Sequence, residues 1–413
     1  MRHTLEQPSF GRRLKELRLA RGLSQATLGG QEISTGYLSR LESGARPPTE
    51  RIVTYLAKQL EVPVSAFEEP TTGSLAGVLA TVTSSPDDDV AAELLADAIA
   101  TDDGRNPALR WQALWLLARI KTQRGQYNEE FEHLQELTSI SDELGNPEMR
   151  ARARTQAARC MRALGNTDDA YTCAIDAFHI AQQHQLSVHD TATALLVLVS
   201  TEAETGRLPD ARAHADDLCA LVGDASGALP VEALWTAAAV RTRQGDHAAA
   251  QDFLEQALRR LDSRDDLMLW MRLRLAAASL YLQVDPPRTD IARLRLQEAE
   301  TALELIGTPL QRQELLVLQA HLAFHEGRTA DASKLCEKLR EDDLRLSFRD
   351  RVRLDVLRSQ LLVLDGKPEE GIRTLQDLAR RANDSLNVDL AAEVWRTLAE
   401  TLAQLHSSAV IAD

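Results

Sequence analysis

The sequence predicts an all-α protein in two parts, an N-terminal domain of five short helices and a right-handed α-solenoid of about eight helix pairs. Residues 10–67 alternate helical apolar spacing with capping and helix-breaking residues. After residue 70 a helix-ending turn recurs about every forty residues. The composition, 44% hydrophobic but only 4% aromatic, suits a large helical core of Ala and Leu. The predicted bounds are 1–69 and 70–406, with a disordered tail at 407–413.

The first two helices follow from their apolar spacing and their end signals. Phe10, Leu14 and Leu17 form one apolar stripe at helical spacing. Gly22 ends that helix, and Ser24 caps the second.

The third helix is predicted from Thr35 to Leu41, and Gly44 closes it. Its Leu38 and Leu41 face inward at helical spacing. The positions left on the outer surface are Thr35, Gly36, Tyr37, Ser39 and Arg40.

These residues resemble the XRE-type, or lambda-repressor-like, helix-turn-helix family. The family landmarks stand here as Arg18, Ser24-Gln25, Leu38-Ser39, Leu41-Glu42, Gly44 and Pro48-Thr49. The resemblance implies that Gln25 and the front of the third helix meet double-stranded DNA in the major groove. It also implies an ion pair between Arg18 and Glu42. The turn between Leu28 and Ser34 is one residue shorter than the usual family turn.

The DNA-binding residues predicted on this basis are Ser24, Gln25, Thr35, Gly36, Tyr37, Ser39, Arg40 and Arg46. Arg40 and Arg46 are assigned to phosphates, although either fits equally well as a solvated surface arginine. Residues 1–66 carry ten Lys and Arg against six acidic residues, a net charge of +4. Since the whole chain has a net charge of −15, the remaining residues carry −19. A basic domain on an acidic body suits phosphate attraction. The alternative is a small helical bundle that binds protein.

The rest of the chain repeats one pattern. Turn markers stand at Gly125, Gly165, Gly206, Gly245, about Pro287, Gly327 and Gly366, at intervals of 40, 41, 39, 42, 40 and 39. Five positions after each marker comes Glu130, Ala170, Ala211, Ala250, Ala292, Ala332 or Gly371, and Glu130 alone is not small. Twelve positions after each marker comes Leu137, Ala177, Leu218, Ala257, Ala299, Leu339 or Leu378.

This pattern resembles the tetratricopeptide repeat (TPR), lengthened from its usual ~34 residues. Lengthened repeats of this kind are familiar from bacterial regulators with the same type of DNA-binding domain. A first pair, from Leu75 to Val82 and from Asp87 to Ala100, fits the same rhythm. The segment Glu68 to Gly73 is predicted to be a short hinge. The amphipathic helix from Val388 to Leu405 should cap the solenoid, or form part of a dimer contact.

The inner surface of such a solenoid is the candidate sensor, because first helices line it. Polar residues six positions before each marker, with nearby aromatic and arginine residues, give the predicted ligand-binding set: Trp115, Arg119, Arg159, Arg162, Trp235, Arg243, Tyr281, His321 and Gln360. Arginine beside aromatic rings suits a short peptide or a small acidic molecule. The alternative is that these residues form a solvated face and the tryptophans pack between repeats.

Several other classes of protein are disfavoured. Cys160, Cys173, Cys219 and Cys336 have no metal-type spacing and are predicted to be buried, reduced thiols. His321 and His325 are spaced for a metal, but no third ligand is suitably placed, and structural histidines are favoured. Catalytic motifs and a membrane-spanning apolar run are missing, so we expect no enzymatic activity, no cofactor and a cytoplasmic location, associated with the nucleoid when DNA is bound.

The sequence therefore indicates a transcription regulator similar to the peptide-sensing bacterial regulators. We expect a homodimer on an inverted-repeat operator, with a signalling peptide or small molecule bound by the repeats. The alternative is an interaction scaffold, in which the repeats bind another protein and the N-terminal domain places it on DNA.

Overall fold

The structure is a computed structural model that describes residues 7–30, 32–67, 74–84, 88–223 and 227–412. Within these ranges every regular element is a helix. The chain divides into two compact units, Met1–Arg105 and Asn106–Asp413.

The first unit begins with the five predicted short helices. They are α1 (Ser9–Ala20), α2 (Gln25–Gly29), α3 (Thr35–Glu42), α4 (Glu50–Leu60) and a 3₁₀ helix at Val64–Phe67. The predicted helix pair α5 (Leu75–Ser84) and α6 (Asp88–Thr101) follows in the same unit.

Capping defines the ends of these helices as the sequence predicted. The Ser24 hydroxyl accepts the Thr27 N–H at 3.0 Å at the start of α2, and Ser34 caps α3 in the same way. Gly22 follows α1 in the left-handed region, at φ +66°. The core holds Phe10, Leu14, Leu28, Leu38, Leu41, Leu56, Leu60 and Phe67, all 1% exposed or less.

The second unit holds the remaining helices. They are α7 (Pro107–Arg124), α8 (Tyr127–Leu144), α9 (Pro147–Leu164), α10 (Thr167–Gln183), α11 (Val188–Glu204), α12 (Leu208–Val222), α13 (Ala228–Arg243), α14 (His247–Arg260), α15 (Leu267–Gln283), α16 (Thr289–Ile306), α17 (Pro309–His325), α18 (Thr329–Glu337), a 3₁₀ helix at Glu341–Asp343, α19 (Phe348–Leu364), α20 (Pro368–Asp384) and α21 (Val388–Ala412).

The predicted repeat is confirmed. With α5 and α6, the described residues form eight helix pairs followed by α21. All six marker glycines lie just after a first helix and have positive φ. The residues five positions after the markers Gly165, Gly206, Pro287 and Gly327 are fully buried alanines, and Glu130, the exception in the pattern, is also 0% exposed.

The second unit is layered. Second helices pack mainly on the first helix of their own pair and of the next pair, whereas first helices also contact each other. First helices that are far apart in the chain meet as well: α7 contacts α17, α9 contacts α19 and α11 contacts α21. The solenoid therefore turns back on itself, and first helices from distant repeats share one inner surface.

Three marker glycines lie where the chain meets itself. A Cβ on Gly165 would lie 2.6 Å from the Phe348 ring, and one on Gly125 would lie 2.5 Å from the Arg345 carbonyl oxygen. A Cβ on Gly206 would lie 3.1 Å from a methyl group of Val388. These glycines both end a helix and allow close contact between distant repeats.

Some expectations differ from the structure. Helix α21 continues to Ala412 through most of the tail predicted as disordered, and Asp413 lies outside the described residues. The compact units divide after Arg105, whereas the predicted domain boundary follows residue 69. The predicted hinge Glu68 to Gly73 lies outside the described residues. Cys173 and Cys219 are partly exposed, and only Cys160 and Cys336 are buried among the four free thiols.

Candidate functional site

A buried ion pair joins α1 to the end of α3. The Arg18 Nε and Nη2 atoms donate to the two Glu42 carboxylate oxygens at 2.6 and 3.0 Å, and both residues are less than 9% exposed. The predicted pair is therefore confirmed. The Gln25 Nε2 atom donates to Glu42 Oε2 at 2.7 Å. This bond fixes the amide of Gln25 relative to α3.

The front of α3 is open to solvent, as predicted. Thr35, Gly36, Ser39 and Arg40 are exposed, and Tyr37 is half-buried. The exposed guanidinium of Arg46 lies 4.4 Å from the centre of the Tyr37 ring. Cation–π stacking of this kind holds an arginine in place while its N–H groups remain available. The sequence did not predict that Tyr37 positions Arg46.

The turn after α2 begins at Gly30, which has φ +56°. A Cβ there would lie 2.8 Å from the Tyr55 hydroxyl. That hydroxyl donates to the Gly29 carbonyl oxygen at 3.0 Å and ties the turn to α4. Gln31 lies outside the described residues.

The inner surface of the second unit carries an ion-pair cluster of five residues, Arg162, Glu204, Arg243, Arg349 and Asp389. Arg162 forms two bonds to the Glu204 carboxylate, at 2.9 and 2.6 Å. Arg243 and Arg349 bind separate oxygens of Asp389 at 2.7 and 2.6 Å. Arg349 Nε also lies 3.8 Å from Glu204. This inner ion-pair cluster joins five first helices, α9, α11, α13, α19 and α21.

The inner ion-pair cluster has three arginines against two carboxylates, so it carries one excess positive charge. The buried Nε and Nη1 atoms of Arg349 have no hydrogen-bond partner among the described residues. Burial opposes the ionised form of Asp389, but Arg349 and Arg243 outweigh it and lower the pKa of this carboxyl. Unused N–H groups beside excess positive charge favour an anionic ligand such as a carboxylate.

A second set of charges extends along the same surface. Arg353 binds both oxygens of Glu393, at 3.0 and 2.8 Å. Burial raises the pKa of Glu314 to about 8, with a smaller contribution from Asp350. Burial lowers the pKa of His321 to about 4, and its buried Nε2 atom has no partner among the described residues.

The structure brings together only part of the predicted ligand-binding set. Arg162 and Arg243 join the inner ion-pair cluster, and burial lowers the pKa of Arg159, which faces Glu232. Arg119 is exposed, with no hydrogen bond or ion pair to any described residue.

The remaining predicted residues make local contacts. Trp115 stacks on Trp111 with ring centres 5.2 Å apart. Trp235 is half-buried, 5.9 Å from the Arg272 guanidinium, and Gln360 is half-buried.

Tyr281 does not occupy the inner position predicted for it. In the other six turns, the N–H after the marker glycine bonds to a carbonyl five positions back, as Asn166 does to Met161. Here the backbone N–H of Arg288 bonds to the carbonyl oxygen of Tyr281, seven positions back, so this turn has two additional residues. Tyr281 therefore corresponds to Met161, and Ser279 corresponds to Arg159. The predicted register was wrong at this repeat, because a count of six positions back from Pro287 does not allow for the longer turn.

Within the described residues, no three His, Cys, Asp or Glu side chains form a group that could hold a metal ion. In the same part of the chain, no helix has both the length and the apolar character needed to cross a membrane.

Residues 81–385 match the MalT-like TPR region. The chain belongs to this family. Residues 9–69 match a helix-turn-helix domain. Both resemblances predicted from the sequence are thereby confirmed, and the chain combines a helix-turn-helix domain with a TPR region.

Solved structures with a similar fold include a Rap protein complexed with competence and sporulation factor, at 12% identity and a TM-score of 0.56, which covers 96% of this chain and 99% of that one. The Rap conjugation gene regulator of plasmid pLS20, in complex with the Phr* peptide, has 12% identity, a TM-score of 0.54 and coverage of 93% and 98%. Bacillus thuringiensis PlcR in complex with the peptide PapR7 and DNA has 14% identity, a TM-score of 0.42 and coverage of 74% and 98%. The two Rap proteins share the fold of this chain. A comparison with curated proteins finds no match.

Sequence reasoning missed Glu204, Arg349 and Asp389 of the second unit. Each lies at the end of a first helix, and the contacts between distant first helices bring them together. A charged residue at the end of an apolar first helix was the available signal, but its partner can be as far as 146 positions away, as Arg243 is from Asp389.

Proposed function

We propose that this protein is a transcription regulator whose helix-turn-helix domains bind an inverted-repeat operator as a homodimer, and whose TPR region senses a short peptide at the inner ion-pair cluster. The observation that carries the proposal is the unfilled hydrogen-bonding capacity of Arg349 on a surface shared by five first helices.

DNA binding is supported by the exposed front of α3 and by its charges. The Arg40 and Arg46 side chains have no acidic partner among the described residues. Their guanidinium groups are therefore free to bind phosphates, while Ser39 and the fixed Gln25 amide face the bases. Ser24 mainly caps α2 in the structure, and its predicted DNA contact would be an additional role.

Dimerisation is supported by an exposed apolar stripe on α21. Ala392, Trp395, Ala399 and Leu402 are all exposed and recur at alternating spacings of three and four residues. The opposite face of α21 is buried against the solenoid, where Leu390 is 0% exposed. A heptad-like stripe on one exposed helix is typical of helix pairing, and a second copy of α21 fits it.

Peptide sensing is supported by the charge and reach of the inner ion-pair cluster. A peptide carboxylate would accept hydrogen bonds from the Nε and Nη1 groups of Arg349 and neutralise the excess positive charge. Because the cluster joins α9 and α11 to α19 and α21, such a ligand would favour one curvature of the solenoid over another. The pLS20 Rap regulator, which shares this fold, was solved with a peptide bound.

The peptide proposal can be tested by selection from a pool of short random peptides, followed by calorimetry of the enriched peptides as free acids and as amides. We expect binding of the acids, and loss of that binding in Arg349→Gln. Arg351→Gln is the matched control, because Arg351 is exposed on the same helix. Equal binding by acid and amide, or by both variants, would contradict the proposed site.

The scaffold alternative is favoured by the exposed stripe of α21, which suits a protein partner as well as a second copy. A folded protein that co-purifies in stoichiometric amounts, and is lost on Trp395→Glu, would support the scaffold. Self-association that is lost on the same change supports the homodimer.

A further inference from the structure

The turn between α15 and α16 differs from every other first-to-second-helix turn in the described TPR region. The other six use a left-handed glycine. Here Val284 leaves the helix in an extended conformation, at φ −74° and ψ 154°, and the closing bond from Arg288 to Tyr281 encloses two additional residues. The longer turn stands away from the helix ends and leaves space beneath it.

That space is a cavity of about 240 Å³ between α13, α14, α15 and the turn. Leu254, Leu280, Val284 and Pro286 form its apolar walls. An apolar cavity of about 150 Å³ is large enough for benzene. This cavity therefore has room for one aromatic ring with a short substituent.

Two hydrogen-bond donors of the cavity lining are unused. Tyr281 is only 6% exposed, yet its hydroxyl makes no hydrogen bond with any described residue. The Arg288 guanidinium lies 3.9 Å from Asp290, which is too long for a hydrogen bond, and its side chain makes no hydrogen bond with any described residue. A hydroxyl that lines a cavity and has no partner among the described residues can bond to a ligand or to water.

We propose that this cavity is a binding site for a small aromatic monocarboxylate, separate from the inner ion-pair cluster. The ring lies against the apolar walls, and the carboxylate accepts hydrogen bonds from Tyr281 and Arg288. An arginine beside a hydroxyl donor is well suited to a carboxylate. Asp285 stands at the exposed rim, where solvent and salt screen its repulsion of the ligand.

The site also has a structural consequence. Its walls come from two successive helix pairs, so a bound acid would fix the angle between them. In a solenoid, a change at one interface is carried to the ends. The acid would then act as a second effector, in addition to the ligand of the proposed function.

The test is calorimetry of the full chain with phenylacetate, 3-phenylpropionate and benzoate, and with neutral phenylacetamide as the matched control ligand. We expect saturable binding of at least one acid, and binding of phenylacetamide at least about tenfold weaker. Failure of all three acids to bind, or equal binding of the amide, overturns the proposal.

Three variants locate the ligand. Tyr281→Phe keeps the ring volume and should weaken binding about three- to tenfold, and Arg288→Gln should weaken it about tenfold or more. Arg312→Gln, an exposed arginine outside the cavity, should bind as the wild type does. Full affinity in both cavity variants overturns the proposal, as does loss of binding in Arg349→Gln alone, which would place the acid at the inner ion-pair cluster. Circular dichroism confirms that each variant is folded.

Discussion

At the scale of single residues, the two units use buried charge differently. In the helix-turn-helix domain, Arg18 and Glu42 satisfy each other and also hold Gln25. In the TPR region, Arg349 keeps buried N–H groups that have no hydrogen-bond partner within the described part of the chain. A buried ion pair with its hydrogen bonds made stabilises one conformation. A buried N–H group without a partner carries a desolvation free energy that a bound ligand can remove.

Replacement of Glu42 by leucine should destabilise the helix-turn-helix domain by about 3–5 kcal/mol, because it leaves the Arg18 charge buried and unpaired. Native-state hydrogen exchange of the Leu38 and Leu41 amides measures this loss. Arg40→Gln, on the exposed face of α3, is the control and should leave exchange unchanged. Unchanged protection in Glu42→Leu would show that the pair does not support the domain.

Arg46 and Tyr37 should act as one unit in DNA binding. Arg46→Ala should weaken binding to all sequences and lower the salt slope by about one unit. Tyr37→Ala removes the platform of Arg46, so the double variant should lose less affinity than the sum of the two single variants. Fluorescence anisotropy across a salt series measures both effects. If the affinity losses of the two single variants simply add in the double variant, Arg46 and Tyr37 act independently.

Glu314 should make stability depend on pH. Its pKa in the folded state is about 8, compared with 4.5 in the unfolded chain, so the folded state holds the proton more tightly. Stability is therefore lost as pH rises from about 4.5 through about 8. Glu314→Gln removes this dependence and should stabilise the protein by about 1–3 kcal/mol above that range. Urea denaturation at several pH values tests this, and parallel pH profiles of variant and wild type would contradict it.

At the scale of helices, local chemistry explains what the sequence could predict. Apart from the C-terminus of α21, the predicted helix ends were correct to within about two residues, because caps and left-handed glycines act locally. The register failed at Tyr281, where two additional turn residues are invisible to a count from Pro287. The meeting of Glu204, Arg349 and Asp389 depends on the curvature of the whole TPR region, which no local pattern encodes.

Two marker glycines provide a matched test of the contacts between distant repeats. Gly245→Ala meets open space and should cost only the left-handed backbone, about 1–2 kcal/mol. Gly165→Ala also pushes its Cβ into the Phe348 ring, so it should cost about 1–3 kcal/mol more. Thermal denaturation compares them. Equal losses would mean that α9 and α19 do not pack closely in solution.

At the scale of the whole molecule, the two units have different parts in the proposed function. The helix-turn-helix domain is proposed to bind DNA through the exposed front of α3, and in the TPR region charged residues join distant first helices. One domain of about sixty residues offers a small DNA footprint, so two copies on paired half-sites are expected. The stripe on α21 provides the surface through which the copies would pair.

The most direct test is selection of DNA duplexes from a random pool by the full chain, with light scattering of the complex that forms on the enriched sequence. We expect an inverted repeat with half-sites about 34–36 Å apart, or a multiple of that distance, bound by two chains. Ser39→Ala should relax the preference at one position in each half-site. Enrichment of no sequence, or a single half-site bound by one chain, would contradict operator binding by a homodimer.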